Sequence, residues 1–143
     1  MTVTVTNKGA FRLTQTPVAS LNLGVCVFGG TTTGVHDKDL DTLAGLDAVT
    51  SVTLGTERLA LTGETATEDD TNDRVDIDTG DAVMAAQAGY TALGHAIYHE
   101  VSAADSGREL IMVQDTNYGA GKPMDGGLTI TIAPLLRLLP QSA

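Results

Sequence analysis

The chain is expected to fold as a mainly β domain, an antiparallel β-sandwich or barrel with one or two short helices. Three observations lead there. Short apolar runs alternate with period two, turn-forming residues interrupt them at close intervals, and strands do not alternate with long helical patterns. A length of 143 residues corresponds to a single domain. Hydrophobic residues make up 42% of it, enough for a core at a size where roughly two-thirds of the unfolded surface is buried on folding.

Thr2, Val3, Thr4, Val5 and Thr6 alternate on β-branched residues, the strand signature. Because they stand at the terminus, residues 1–8 are read as an N-terminal arm and residues 9–143 as one β-rich domain. Residues 21–28, with Cys26 among them, read as a buried strand closed by Gly29-Gly30 and a Thr-rich loop to Gly34. Asp37 is placed as the cap of a short helix that runs through Leu43, with Leu40 and Leu43 on one face and Gly45 as its stop. Residues 49–54 and 57–62 flank Gly55-Thr56 as strands. The carboxylates of Glu64, Glu68, Asp69, Asp70, Asp73, Asp76, Asp78 and Asp81 then read as a solvated, self-repelling loop.

Residues 92–101 and 108–114 form an expected hairpin about Asp105-Ser106-Gly107, with Leu110, Met112 and Gln114 on one face and Ile111 and Val113 on the other. A Gly/Pro/Asn loop over residues 117–127 leads to a last alternating strand at 128–132, which Pro134 ends.

Composition excludes several partners. Eight Lys+Arg against eighteen Asp+Glu give a formal charge of -10, and the basic residues are scattered singly. Phosphate backbones and anionic membrane surfaces need clustered cations, so neither nucleic acid nor membrane is an expected partner. Aromatics are only 3% and Trp is absent, which leaves little to stack on bases, sugars or a cofactor. Cys26 is the single cysteine, so no intrachain disulfide forms, and its apolar surroundings suggest an inert buried thiol. Without a basic and apolar leader or an apolar run near ~20 residues, the chain is expected to be soluble and used without secretion.

No catalytic or metal motif is intact. His95 and His99 are four apart, but Ala96 stands where a zinc protease needs Glu, and the surrounding residues favour a strand. On a strand the two would lie about 13 Å apart, too far to share an ion. Asp76-Ile77-Asp78-Thr79-Gly80-Asp81 departs from a calcium loop in the order of Gly and Asp. Gly119-Ala120-Gly121-Lys122 lacks both the earlier Gly and the Ser or Thr of a phosphate loop. Ser106 is outside a nucleophile elbow. The expectation is therefore a protein that is not an enzyme and takes no cofactor.

The order of segments carries more. It includes Asn7-Lys8-Gly9 near the start, the stretch Arg74-Val75-Asp76-Ile77-Asp78, then Ala96-Ile97-Tyr98, Leu110-Ile111, and Pro123-Met124-Asp125-Gly126-Gly127-Leu128-Thr129-Ile130. In this order the chain resembles small tailed-bacteriophage virion proteins, among them the capsid decoration (cement) proteins. The resemblance implies a β-rich structural protein on the outer surface of the phage head, made in the host cytoplasm. It would bind the major capsid protein at capsomer junctions, as a homo-oligomer such as a trimer. A tail component and a host-surface or carbohydrate-binding module are the alternatives. The expected contact residues are Thr2, Val3, Thr4, Val5 and Thr6 of the arm, and Tyr118, Lys122, Pro123 and Met124 of the late loop.

Overall fold

From Leu23 to Gly29 every residue is buried, which places this strand between two apolar layers and explains why its sequence reads as a continuous apolar run. In the computed structural model, which describes residues 2–71, 74–115, 120–131 and 136–138, the elements follow in chain order. They are β1 (Val3–Val5), α1 (Asn7–Gln15), β2 (Leu23–Gly29), α2 (Leu43–Asp47), β3 (Thr53–Leu54), β4 (Leu59–Ala60), β5 (Thr65–Asp69) and β6 (Arg74–Asp78), then β7 (Ala82–Met84), β8 (Thr91–Ala92), β9 (Gly94–Glu100), β10 (Arg108–Asp115), β11 (Lys122–Pro123), β12 (Leu128–Ile130) and β13 (Leu136–Leu138). The protein is mainly β with antiparallel pairing and two short helices, as the sequence predicts.

The main sheet has six strands in the order β1-β10-β9-β2-β3, with β4 also paired to β2. Among the described residues three smaller sheets, β11-β8, β12-β7 and β13-β6-β5, accompany it. Two apolar clusters form on the main sheet. Val25, Val27, Ile97 and Ile111 pack with Ile77, Met84, Leu128 and Ile130 of the small sheets. On the other side Cys26, Phe28, Ala96, Tyr98 and Val113 pack with Leu43 and Leu46 of α2 and with Val35 and Val52. No helix among the described residues is long and apolar enough to cross a membrane.

Five features differ from the sequence reading. Residues 3–5 are not a free arm: Val3, Thr4 and Val5 pair with Gln114, Val113 and Met112 as the edge strand β1. Thr6 then starts a helix that sequence patterning missed, its hydroxyl accepting from Gly9 N at 2.9 Å. Its one buried residue is Gly9 while Phe11 is 57% exposed, so no apolar core stripe announces it, and tertiary seating on β10 stabilises it instead. The second helix begins at Leu43, because Thr42 rather than Asp37 supplies the cap, accepting from Gly45 N at 3.1 Å.

The acidic stretch contains a paired hairpin, β5 with β6, anchored by Ile77 at 2% exposure. Exposed Glu68 and Asp70 keep their charges in water, where salt screens them. Lastly, a bulge between Leu110 and Met112 interrupts the β10 register. The extra residue resets the alternation, so Leu110 and Val113 share one cluster while Ile111 and Met112 share the other. The expected grouping of Leu110 with Met112, and of Ile111 with Val113, is thereby reversed.

Candidate functional site

The first candidate is the outer edge of β1. Thr6 N donates to Ile111 O at 3.1 Å and Asp115 N donates to Thr2 O at 3.0 Å. These bonds, with Thr4 opposite Val113, turn the backbone groups of Thr2, Thr4 and Thr6 toward β10. The N–H and C=O of Val3 and Val5 consequently point away from β10, to the open side where no described strand pairs with β1. The side chains divide in the reverse of the usual sense. Thr4 and Thr6 are inward, at 9% and 0% exposure, while Val3 is 45% exposed.

The inward hydroxyls are used. Thr4 Oγ1 lies 3.0 Å from His36 Nδ1, and Thr6 Oγ1 donates to Leu110 O at 2.5 Å. His36 Nε2 is 3.5 Å from Asp115 Oδ2, and Asp115 also accepts from the backbone N–H of Thr2. Thr4, His36 and Asp115 stand in nucleophile-base-acid order, but Thr4 is a buried strand residue. Among the described residues His36 Nε2 makes no hydrogen bond, so β1 is tied down by two separate contacts, Thr4 with His36 and the Thr2 N–H with Asp115.

The late loop is split. Lys122 and Pro123 are exposed on β11, which pairs with Ala92 and Thr91 of β8. Met124 is 1% exposed and belongs to the core, so its side chain is no surface contact; this corrects the expectation for that residue. Its side chain turns in just past the end of β11 and packs in the same cluster as Met84, Leu128 and Ile130. Tyr118 lies outside the described residues.

The second candidate is a cleft of about 180 Å³ at one end of β2, β4 and β9, lined in part by Gly24, Arg58, Tyr98, Glu100 and Arg108. Gly24 faces Tyr98 across the β2–β9 pair, and a Cβ at Gly24 would strike the phenol ring. The missing side chain lets the ring lie over the β2 backbone. Arg58 engages Asp105 with both ends of its fork, Nε to Oδ1 at 3.0 Å and Nη2 to Oδ2 at 2.7 Å. Arg108 Nη1 reaches the same carboxylate at 2.8 Å and its Nε reaches Glu100 Oε2 at 2.8 Å. The Arg108 guanidinium stands 5.6 Å from the centroid of the Tyr98 ring.

Hydrogen bonds from Arg58, then from Arg108, hold the Asp105 carboxyl below its ordinary range. Burial pushes the Tyr98 hydroxyl up to about 12, so it stays protonated. Sequence reading treated these residues as scattered charges. Glu100 and Arg108 face each other at the hairpin end, so hairpin register was the one available signal. The approach of Arg58 to Asp105 is tertiary.

Of the remaining reactive side chains, Cys26 and His95 are buried and His99 is half-buried. Cys26 is fully buried, with Sγ 3.2 Å from Val27 O and 3.1 Å from Arg58 Nη1. Burial pushes its thiol up to about 12, which outweighs the opposing effect of Arg58. The native protein should therefore resist an aromatic disulfide reagent for hours and react with one equivalent once unfolded in guanidinium. Rapid labelling of the native state, followed by absorbance, would contradict this assignment.

His95 and His99 do lie on a strand, β9. His95 is 5% exposed with Nδ1 lacking a partner, whereas His99 Nδ1 accepts from Asn22 N at 3.0 Å. Among the described residues no three His, Cys, Asp or Glu side chains converge as a metal site. No protein-family model matches this chain, and no significant match was found among curated proteins or solved structures.

Proposed function

We propose that this protein is a capsid decoration protein of a tailed bacteriophage, binding the outer surface of the assembled head at capsomer junctions and stabilising it. The observation that most supports the reading is the edge strand β1, held in strand geometry by the Thr4–His36 and Thr2–Asp115 contacts and presenting the backbone of Val3 and Val5. A strand of the major capsid protein would add to this edge through main-chain hydrogen bonds. Pre-ordering of β1 spares part of the entropy that a free arm would lose on docking. Three residues offer few such bonds, so lasting attachment calls for further contacts, such as Lys122 and Pro123, and for many copies.

The formal charge of -10 keeps free copies apart and favours a comparatively basic docking surface. Selective binding to the assembled shell stabilises that state by linkage. Trimers at threefold junctions would suit the capsid symmetry.

Co-sedimentation with phage heads or empty shells tests the reading: saturation at fixed stoichiometry, with a raised shell melting temperature, is the expected outcome. Co-sedimentation with isolated tails alone would favour a tail component, and binding only to host envelopes or glycans a surface-binding module. Val5→Pro should reduce shell occupancy by at least about tenfold while the free domain melts normally. Its lost N–H faces the open side, where proline is tolerated. Unchanged occupancy would sink the edge mechanism. Deleting residues 1–6 is a poorer test, since it also removes the cap of α1.

A further inference from the structure

We propose that the cleft between β2, β4 and β9 binds a small oxyanion of the carboxylate or phosphate type. This does not rest on the capsid reading. Its volume of about 180 Å³ admits an ion or a short organic acid and is below the usual range for drug-sized ligands.

Three donors lining the cleft are available. Arg108 spends Nε on Glu100 and one Nη1 hydrogen on Asp105, and its Nη2 group has no partner among the described residues. Tyr98 is 2% exposed, yet among the described residues its hydroxyl has no hydrogen-bond partner. The phenol end lies over Gly24, itself part of the lining. Arg58 adds the remaining N–H of its Nη2, the other being held by Asp105. A guanidinium edge beside a protonated phenol matches the lone pairs of an oxyanion, because charge-assisted bonds of this kind are the strong ones.

The donors are also held in place before any ligand arrives. Asp105 bridges Arg58 and Arg108, and the Tyr98 ring lies against Gly24 and 5.6 Å from the Arg108 guanidinium. Little reorganisation is then required on binding. Glu100 and Asp105 balance the two guanidiniums, so long-range attraction is weak and hydrogen bonding must supply the affinity. A Kd of about 1 mM is expected.

The balance makes the site diagnosable by opposite responses. Tyr98→Phe keeps the ring and removes one donor, which should weaken binding by about tenfold. Glu100→Gln removes the negative lining charge and should tighten binding several-fold. Titrations of the full chain with sodium phosphate and with sodium acetate at low ionic strength, followed by amide chemical shifts, measure both. Saturable shifts at residues 22–24, 58–60 and 98–108, with those two opposite responses, are the expected result, and the tighter of the two salts identifies the ligand type. Absence of a saturable response to either anion up to about 50 mM, well above the expected Kd, would overturn the proposal. So would equal Kd values in wild type, Tyr98→Phe and Glu100→Gln.

Discussion

Gly9→Ala is expected to destabilise the domain by about 3 kcal/mol, the upper end of ordinary overpacking, measured by urea unfolding. Alanine inside a helix normally improves stability by about 1 kcal/mol over glycine, so the predicted sign is opposite to helix propensity. The reason is where α1 sits. Gly9 is buried against β10, and an added Cβ would fall within the Ile111 carbonyl and Cα. Backbone cannot rotate aside as a side chain does. To make room, α1 would have to lift from the sheet.

That movement would strain the Arg12–Glu109 fork, with Nε–Oε2 at 2.5 Å and Nη2–Oε1 at 2.9 Å, and the Thr6 hydroxyl that joins Leu110 to the helix start. Exposed Ala10, changed to glycine, serves as the control and should cost only about 1 kcal/mol. A Gly9→Ala protein as stable as wild type would mean that α1 does not seat on β10 in this way.

Acidification should bring a loss of similar size from one residue. Burial lowers the pKa of His95 from 6.5 to about 4. Above pH 6.5 the ring is neutral in both folded and unfolded chains and contributes no pH dependence. Between pH 6.5 and about 4 the unfolded chain binds a proton that the folded one refuses, so stability falls as pH falls. The integrated loss is about 3 kcal/mol. At lower pH the same direction continues, since Asp105, Glu109 and Asp115 have depressed carboxyl pKa values and lose that stabilisation on protonation.

His95→Leu should flatten the unfolding free energy between pH 6.5 and 4 while leaving the carboxylate-dependent loss below that window. Because His95 Nδ1 has no partner, the substitution strands no donor or acceptor across from it. Denaturant midpoints taken at half-unit pH intervals give the comparison. An unchanged slope in the variant would show that His95 does not carry it.

Much of the β architecture was legible for a local reason. A residue run such as 21–28 that is apolar without interruption, or one such as 128–130 that alternates, reports its own burial. The hairpin of β9 and β10 was legible because its turn residues and both flanking patterns lie close in sequence. The charged cleft was not, since Arg58 and Asp105 meet only after β4 docks on β2. The open edge was half legible: the alternation of Thr2 to Thr6 announced a strand, but alternation alone does not say which face turns inward.

The sequence by itself determined the fold class, the strand identity of β2, β9, β10 and β12, and the acidic, cysteine-poor, aromatic-poor chemistry of the surface and core. These follow from composition and short-range periodicity, which are properties of neighbouring residues. Tertiary structure alone decided that Thr4 and Thr6 face inward, because their hydroxyls find His36 and the Leu110 carbonyl there. It also decided that a bulge at Ile111 exchanges the faces of β10, that Gly9 admits a helix onto that strand, and that Met124 is core while Lys122 is surface. Each of these depends on contacts between segments distant in the chain, where a single bulge or a single missing Cβ changes which atoms meet.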